Sequence, residues 1–167
     1  EMTSSLVGSE MCIRDSSKTF NPVYGYKELE AIFGDRRPES AKELEEAVRA
    51  VRARKLPDPK VLPNAGSFFK NPVVTRTKML HLLEETPSLV SYPLGGARAK
   101  IAAGWLIEAC GLKGKRMGQA GVYERQTLIL VNYGGATGAE IKALAEEVAR
   151  NVKYRFGVEL EPEPVIL

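Results

Sequence analysis

Apolar residues return at helical spacing in several stretches of this chain, and the intervals between them are rich in glycine and proline. Tyr26–Phe33 is a short amphipathic stretch ended by Gly34. Pro38-Glu39-Ser40 opens a helix in which Leu44, Ala47, Val48 and Val51 line one face at the 3.6-residue period. Ser40 and Glu43 have the spacing of a capping box, in which each side chain satisfies an orphan backbone donor. The helix must end near Lys55, because Leu56-Pro57-Asp58-Pro59 cannot continue it, and this connector is the best candidate domain boundary. A further helix is expected over about Thr75–Glu85, with Met79, Leu82 and Leu83 inward and Pro87 as its stop. Ser91–Gly96 reads as a loop. Lys100–Cys110 reads as an apolar helix carrying Ile101, Trp105, Leu106 and Ile107 and closed by Gly111.

The second half follows the same logic. Gly114–Val122 is irregular and glycine-bearing, and Thr127–Val131 is a β-branched, strongly apolar strand. Asn132-Tyr133-Gly134-Gly135 turns the chain, and Thr137 and Glu140 form a second capping box. Ile141, Leu144, Val148 and Val152 then supply a long helical stripe closed by Gly157, and Val158–Leu167 alternates as a terminal strand. The order of elements predicts an α+β fold, with helices packed on a small, mainly antiparallel sheet.

Residues 1–16 share none of this patterning. The run Ser4–Ser16 resembles translated sequencing-adapter read-through. On that reading it is a non-native tail to be left out of fold reasoning, and the chain is a fragment of a protein that continues upstream. The alternative is a genuine flexible N-terminal tail.

Composition narrows the function classes. With 167 residues, 44% of them hydrophobic and 27% charged, the chain has the make-up of a soluble globular domain. A net charge of +3 without a dense Lys/Arg block does not indicate nucleic acid. The small basic cluster Arg49, Arg52, Arg54 and Lys55 suits a helix C-terminus. No apolar run reaches membrane-spanning length, so no membrane association is expected. The 2 cysteines, Cys12 and Cys110, make no disulfide framework, and a reducing cytoplasm is the default. Cys110 falls at a core-like position, where an inert thiol is expected. His81 is the single histidine, so neither a His-Asp relay nor a His-based metal site can be built.

The most informative segment is Asn64-Ala65-Gly66-Ser67-Phe68-Phe69-Lys70-Asn71-Pro72. Gly66 permits a backbone conformation closed to other residues, so Ser67 can sit at a sharp corner anchored by Phe68 and Phe69. The bland alternative is an ordinary Gly-Ser turn. Glu163 lies in Leu160-Glu161-Pro162-Glu163-Pro164, where flanking prolines hold it stiffly. A serine hydroxyl is too weak an acid to give up a proton unaided, so a cation or hydrogen-bond network must assist it. Lys55, Asn71, Lys100 and Gln126 are cationic or amide groups suited to phosphates, and Tyr92 could donate to a phosphate or stack on a sugar or base. Nothing in the residues alone shows that these groups meet.

The runs LPDPKVLPNAGSFFKNPVV, YP, AAGWLIEACGLKGKRMG, LILVN and LEPE, collinear from about Pro22 to Leu167, resemble the UDP-N-acetylenolpyruvoylglucosamine reductases, the MurB flavoenzymes of bacterial cell-wall synthesis. The resemblance implies a chain assembled as residues 17–55, the end of a flavin-binding region with a connecting helix; 56–156, a substrate-binding domain; and 157–167, a strand returning to the flavin-binding part. It implies reduction of UDP-N-acetylglucosamine enolpyruvate to UDP-N-acetylmuramate, with NADPH as hydride donor and FAD as carrier. It implies Ser67 as proton donor, Glu163 as the assisting acid, and Lys55, Asn71, Tyr92, Lys100 and Gln126 as substrate-binding residues, with Lys55 also near the nicotinamide cofactor. FAD would be held by a region upstream of the match, so this chain alone is expected to be inactive. A cytoplasmic monomer acting on a nucleotide sugar is expected. A stand-alone UDP-sugar-binding module without catalysis is the alternative.

Overall fold

A computed structural model describes residues 20–22 and 27–165. The adapter-like reading of residues 1–16 lies outside the described residues. The chain divides into two units, Glu1–Arg54 and Lys55–Leu167.

In the first unit, α1 (Lys27–Phe33) and α2 (Ala41–Lys55) are the described helices. Leu29, Phe33 and Val51 are buried together, and Leu44, Ala47 and Val48 pack against them, which is the stripe expected of an amphipathic pair. At the start of α2 the Ser40 hydroxyl accepts the Glu43 N–H (3.2 Å). The Glu43 carboxylate reaches back one residue further than in a standard box, to the N–H of Glu39 (2.6 Å) and to Arg36 (2.6 Å). The Arg36 guanidinium and then the Glu39 N–H hold its carboxyl below the usual range.

The second unit carries β1 (Asn64–Ser67), β2 (Val73–Thr75), α3 (Arg76–Glu85), β3 (Ser91–Leu94), β4 (Arg98–Ile101), α4 (Ala103–Ala109), β5 (Arg116–Met117), β6 (Ala120–Val122), β7 (Ile129–Asn132) and α5 (Gly138–Phe156). The strands form two antiparallel sheets, a four-stranded one in the order β1-β7-β6-β5 and a three-stranded one in the order β2-β4-β3. Helices packed on antiparallel sheets make this an α+β fold. One core joins the elements: Phe68 and Phe69, Leu82 of α3, Ile101 of β4, Leu106 and Ile107 of α4, Val122 and Leu130, and Leu144, Val148 and Val152 of α5. Thr137 caps α5 with a complete capping box with Glu140, and Gly157 closes it at φ +60°.

Four stretches differ from the sequence expectation. Ser91–Leu94 is a strand rather than a loop; β3 is the edge of its sheet, where Pro93 with its missing N–H is tolerated. The helix expected from Lys100 starts at Ala103, and Lys100 and Ile101 belong to β4. Gly114–Val122 contains the β5–β6 hairpin. Among its described residues, the terminal segment contributes one bridge, Phe69 to Pro162, instead of a long strand; Pro162 and Pro164 cannot donate to a ladder. Val158 and Leu160 are nonetheless buried in the core of the second unit. Cys110 is half-buried, and burial pushes its thiol pKa up against the opposing pull of Arg155.

Candidate functional site

Ser67 owes its placement to a bulge. Asn64 pairs with Val131 and Ser67 with Ile129, so three steps along β1 span two along β7 and one residue is extra. Such bulges bend a strand and re-aim a side chain. Gly66 takes φ +75°, and a Cβ there would meet nothing within 4 Å, so it is the backbone angle and not space that requires glycine. Asn64 straps the corner: its Oδ1 accepts the Gly66 N–H (2.9 Å) and its Nδ2 donates to the Leu62 carbonyl (2.8 Å). Beyond Ser67, Phe68 and Phe69 are 5% and 2% exposed and meet edge-on, with ring centroids 5.2 Å apart. The hydroxyl-bearing residue is exposed at the edge of this rigid anchor.

The C-terminal segment runs antiparallel to the same anchor. The Lys70 N–H donates to the Glu161 carbonyl (2.9 Å), and the Glu163 N–H donates to the Phe68 carbonyl (2.8 Å). The Lys70 ammonium lies 3.6 Å from the Glu161 carboxylate. Glu163 is thereby fixed one residue from Ser67, although 96 positions in sequence separate them (163 minus 67). Both are exposed.

On its other side the anchor meets the turn before β7, where the Phe68 N–H donates to the Leu128 carbonyl (2.7 Å). Gln126 opens this turn. Its Oε1 accepts the Leu128 N–H at 3.5 Å, and its carbonyl accepts the Ile129 N–H (3.0 Å). The turn docks on the first turn of α4, where the Thr127 hydroxyl donates to the Gly104 carbonyl (2.7 Å). Next to Gly104, the Ala103 N–H donates to Asn71 Oδ1 (2.9 Å). Asn71 is therefore a helix cap supplied from 32 residues away, and the group it has left for a ligand is its NH2.

Lys100 lies three positions before Ala103, the first residue of α4. It occupies the central strand of the three-stranded sheet, paired with Tyr92 on one side and Val73 on the other. Alternation sends Ala99 and Ile101 into the core and Lys100 to the opposite face, beside Tyr92, which is 53% exposed on the edge strand. Ser67, Glu163, Gln126, Asn71, Lys100 and Tyr92 are thus linked by a continuous chain of backbone and side-chain contacts. Lys55 is half-buried at the end of α2, where the two units divide. The connected segments carry a serine, a glutamate, a lysine, two carboxamides and a tyrosine, the residue types that transfer protons and donate to oxyanions.

Two residues of this network were not singled out from sequence: Thr127 carries no signal of its own, and Gly104 gives one hint, an isolated glycine inside an apolar helical run, which marks close packing. Among the described residues no helix is long and apolar enough to cross a membrane, and no three His, Cys, Asp or Glu side chains gather as a metal site.

The sequence profile of the family described as UDP-N-acetylenolpyruvoylglucosamine reductase, C-terminal domain, matches residues 58–167. The chain belongs to this family. The UDP-N-acetylenolpyruvoylglucosamine reductase of Chromobacterium violaceum is 58% identical over 125 residues, which cover 75% of this chain and 37% of that protein. The one from Paraburkholderia xenovorans is 53% identical over 154 residues, covering 90% and 44%. A crystal structure of the reductase (MurB) from Thermus caldophilus aligns with 29% identity and a TM-score of 0.41, covering 77% of this chain and 36% of that one. The chain spans less than half the length of the curated reductases it matches. All the linked site residues fall inside the region matched by the family profile; Lys55 precedes it.

Proposed function

We propose that this chain is the substrate-holding part of a cytoplasmic UDP-N-acetylenolpyruvoylglucosamine reductase, acting on UDP-N-acetylglucosamine enolpyruvate in the synthesis of peptidoglycan precursors. The observation that carries the reading is the hydrogen bond from the Glu163 N–H to the Phe68 carbonyl (2.8 Å), which ties the glutamate's backbone to the residue next to Ser67 in a chain of this family. Ser67 is the residue that delivers the proton to the enol carbon, and Glu163 is the acid that steadies the reacting end. Asn71, Gln126 and Lys100 donate to the diphosphate and sugar oxygens, and Tyr92 covers them from the edge strand. Lys55 approaches the same substrate or the nicotinamide cofactor. The working unit is a monomer.

The cofactor pair is FAD with NADPH, which supplies the hydride. The described residues next to Ser67 do not fit a flavin: the rings of Phe68 and Phe69 are turned into the core and offer no free face for stacking. FAD is accordingly assigned to the portion of the reductases that this chain does not span.

The test joins this chain to the remaining portion of the Chromobacterium violaceum reductase. Ser67→Ala should slow product formation by about 10²–10⁴-fold, the usual worth of a positioned acid, while NADPH oxidation without substrate stays unchanged. Loss of both activities, or of neither, would overturn the assignment of Ser67. Substrate binding without turnover in the unsubstituted chimaera would favour a binding module.

A further inference from the structure

Thr127 is 3% exposed, and among the described residues it is the one polar side chain buried so deeply. Its hydroxyl has a partner on a different element, the Gly104 carbonyl at 2.7 Å. The same turn is also tied to itself and to the Ser67 anchor, and its end at Ile129 receives the Tyr123 N–H (2.8 Å). Gln126 Oε1 reaches across Thr127 to the Leu128 N–H (3.5 Å), and the Ile129 N–H returns to the Gln126 carbonyl (3.0 Å). Gly104 allows the docking. A Cβ there would stand 3.3 Å from Thr127 Oγ1, 3.4 Å from Leu128 Cγ and 3.5 Å from Gln126 Oε1. The neighbouring residue of α4, Ala103, is the one whose N–H is held by Asn71 (2.9 Å).

From this arrangement we infer that Thr127 is a positioning residue: its hydroxyl fixes the Gln126 carboxamide in one frame with Asn71, so that both NH2 groups address the same nucleotide sugar. The inference rests on the substrate reading above. A buried hydroxyl must keep its partner, so the Thr127–Gly104 bond is not exchanged for water and the turn has one position against α4. With Oε1 turned to the Leu128 N–H, the Gln126 NH2 is the end left for a ligand oxygen. A loose turn would let the carboxamide rotate, and ordering it would then be charged against each binding event.

The experiment uses the 167-residue chain and titrates it with UDP and with UDP-N-acetylglucosamine by NMR, comparing wild type, Thr127→Val, Thr127→Ser, Gln126→Ala and the Thr127→Val/Gln126→Ala double variant. Thr127→Val should weaken binding about tenfold, the size of one hydrogen bond to a charged group. Thr127→Ser should restore it, and Thr127→Val should cost nothing further in the Gln126→Ala background. Unchanged binding in Thr127→Val, no rescue by serine, or an undiminished further loss in the Gln126→Ala background would each overturn the inference. The second readout needs no ligand. The Gln126 side-chain NH2 signals should be dispersed in wild type and Thr127→Ser, and should collapse to those of a freely rotating glutamine in Thr127→Val. Signals identical in all three overturn the inference, whereas a wild type that binds neither nucleotide, with the dispersal as expected, overturns the substrate reading alone.

Discussion

Ser67 is governed by the residue before it. Gly66 at φ +75° makes the bulge possible, and no neighbour would obstruct a side chain there. Gly66→Ala should therefore destabilise the fold by about 1–2 kcal/mol through backbone strain alone, read as a shifted urea midpoint at unchanged slope. Gly104 is the opposite case. Its φ does not demand glycine, and a Cβ there would be tight only against Thr127 Oγ1 at 3.3 Å, so Gly104→Ala should displace that hydroxyl slightly, visible as shifted amide signals at 126–128 with Ser67 left in place. The serine corner was legible in sequence because glycine, serine and two aromatics are adjacent and their effects local. The partners of Asn71 and Thr127 were not, since each bond joins residues 23 or more positions apart and depends on how β4 and α4 fold back.

Helices were read well and short strands poorly. The stripes of α2, α3 and α5 run for several turns and open on a capping Ser or Thr, so periodicity and capping agree. Strands β2, β3, β5 and β6 are two to four residues long, too short for alternation to register, and β3 carries a proline besides. Among the helices α5 supplies the clearest local test. Thr137→Ala removes the N-cap acceptor of the Glu140 N–H and should cost about 1 kcal/mol in thermal or urea unfolding. The Glu140 carboxylate accepts from the Thr137 N–H (2.8 Å) and hydroxyl (2.9 Å), and these bonds, the backbone one foremost, hold its pKa below the ordinary carboxylate value. A carboxyl depressed in the folded state stabilises above its unfolded pKa and loses that contribution as pH falls through the folded one. The Glu140 share of stability should therefore be complete at neutral pH and fade below about pH 4.5, and Glu140→Gln should flatten that part of the acid-unfolding profile.

At the scale of the whole molecule, every buried residue of the larger core lies between Phe68 and Leu160, inside the second unit. Residues 55–167 produced alone should accordingly unfold in one cooperative transition, and Leu144→Ala within them should cost about 2–5 kcal/mol. The α+β class followed from element order. The site did not, because it is assembled where two sheets, one helix start and the C-terminal segment meet, and no single stretch of sequence records that meeting.

Asn71 is followed by Pro72. Asparagines age by losing their amide when the next residue's backbone nitrogen, freed of its hydrogen, closes a five-membered ring on the side chain. Proline has no such hydrogen to lose. The carboxamide whose oxygen secures α4 is thus shielded from that decay, and old preparations should carry no negative charge at this position.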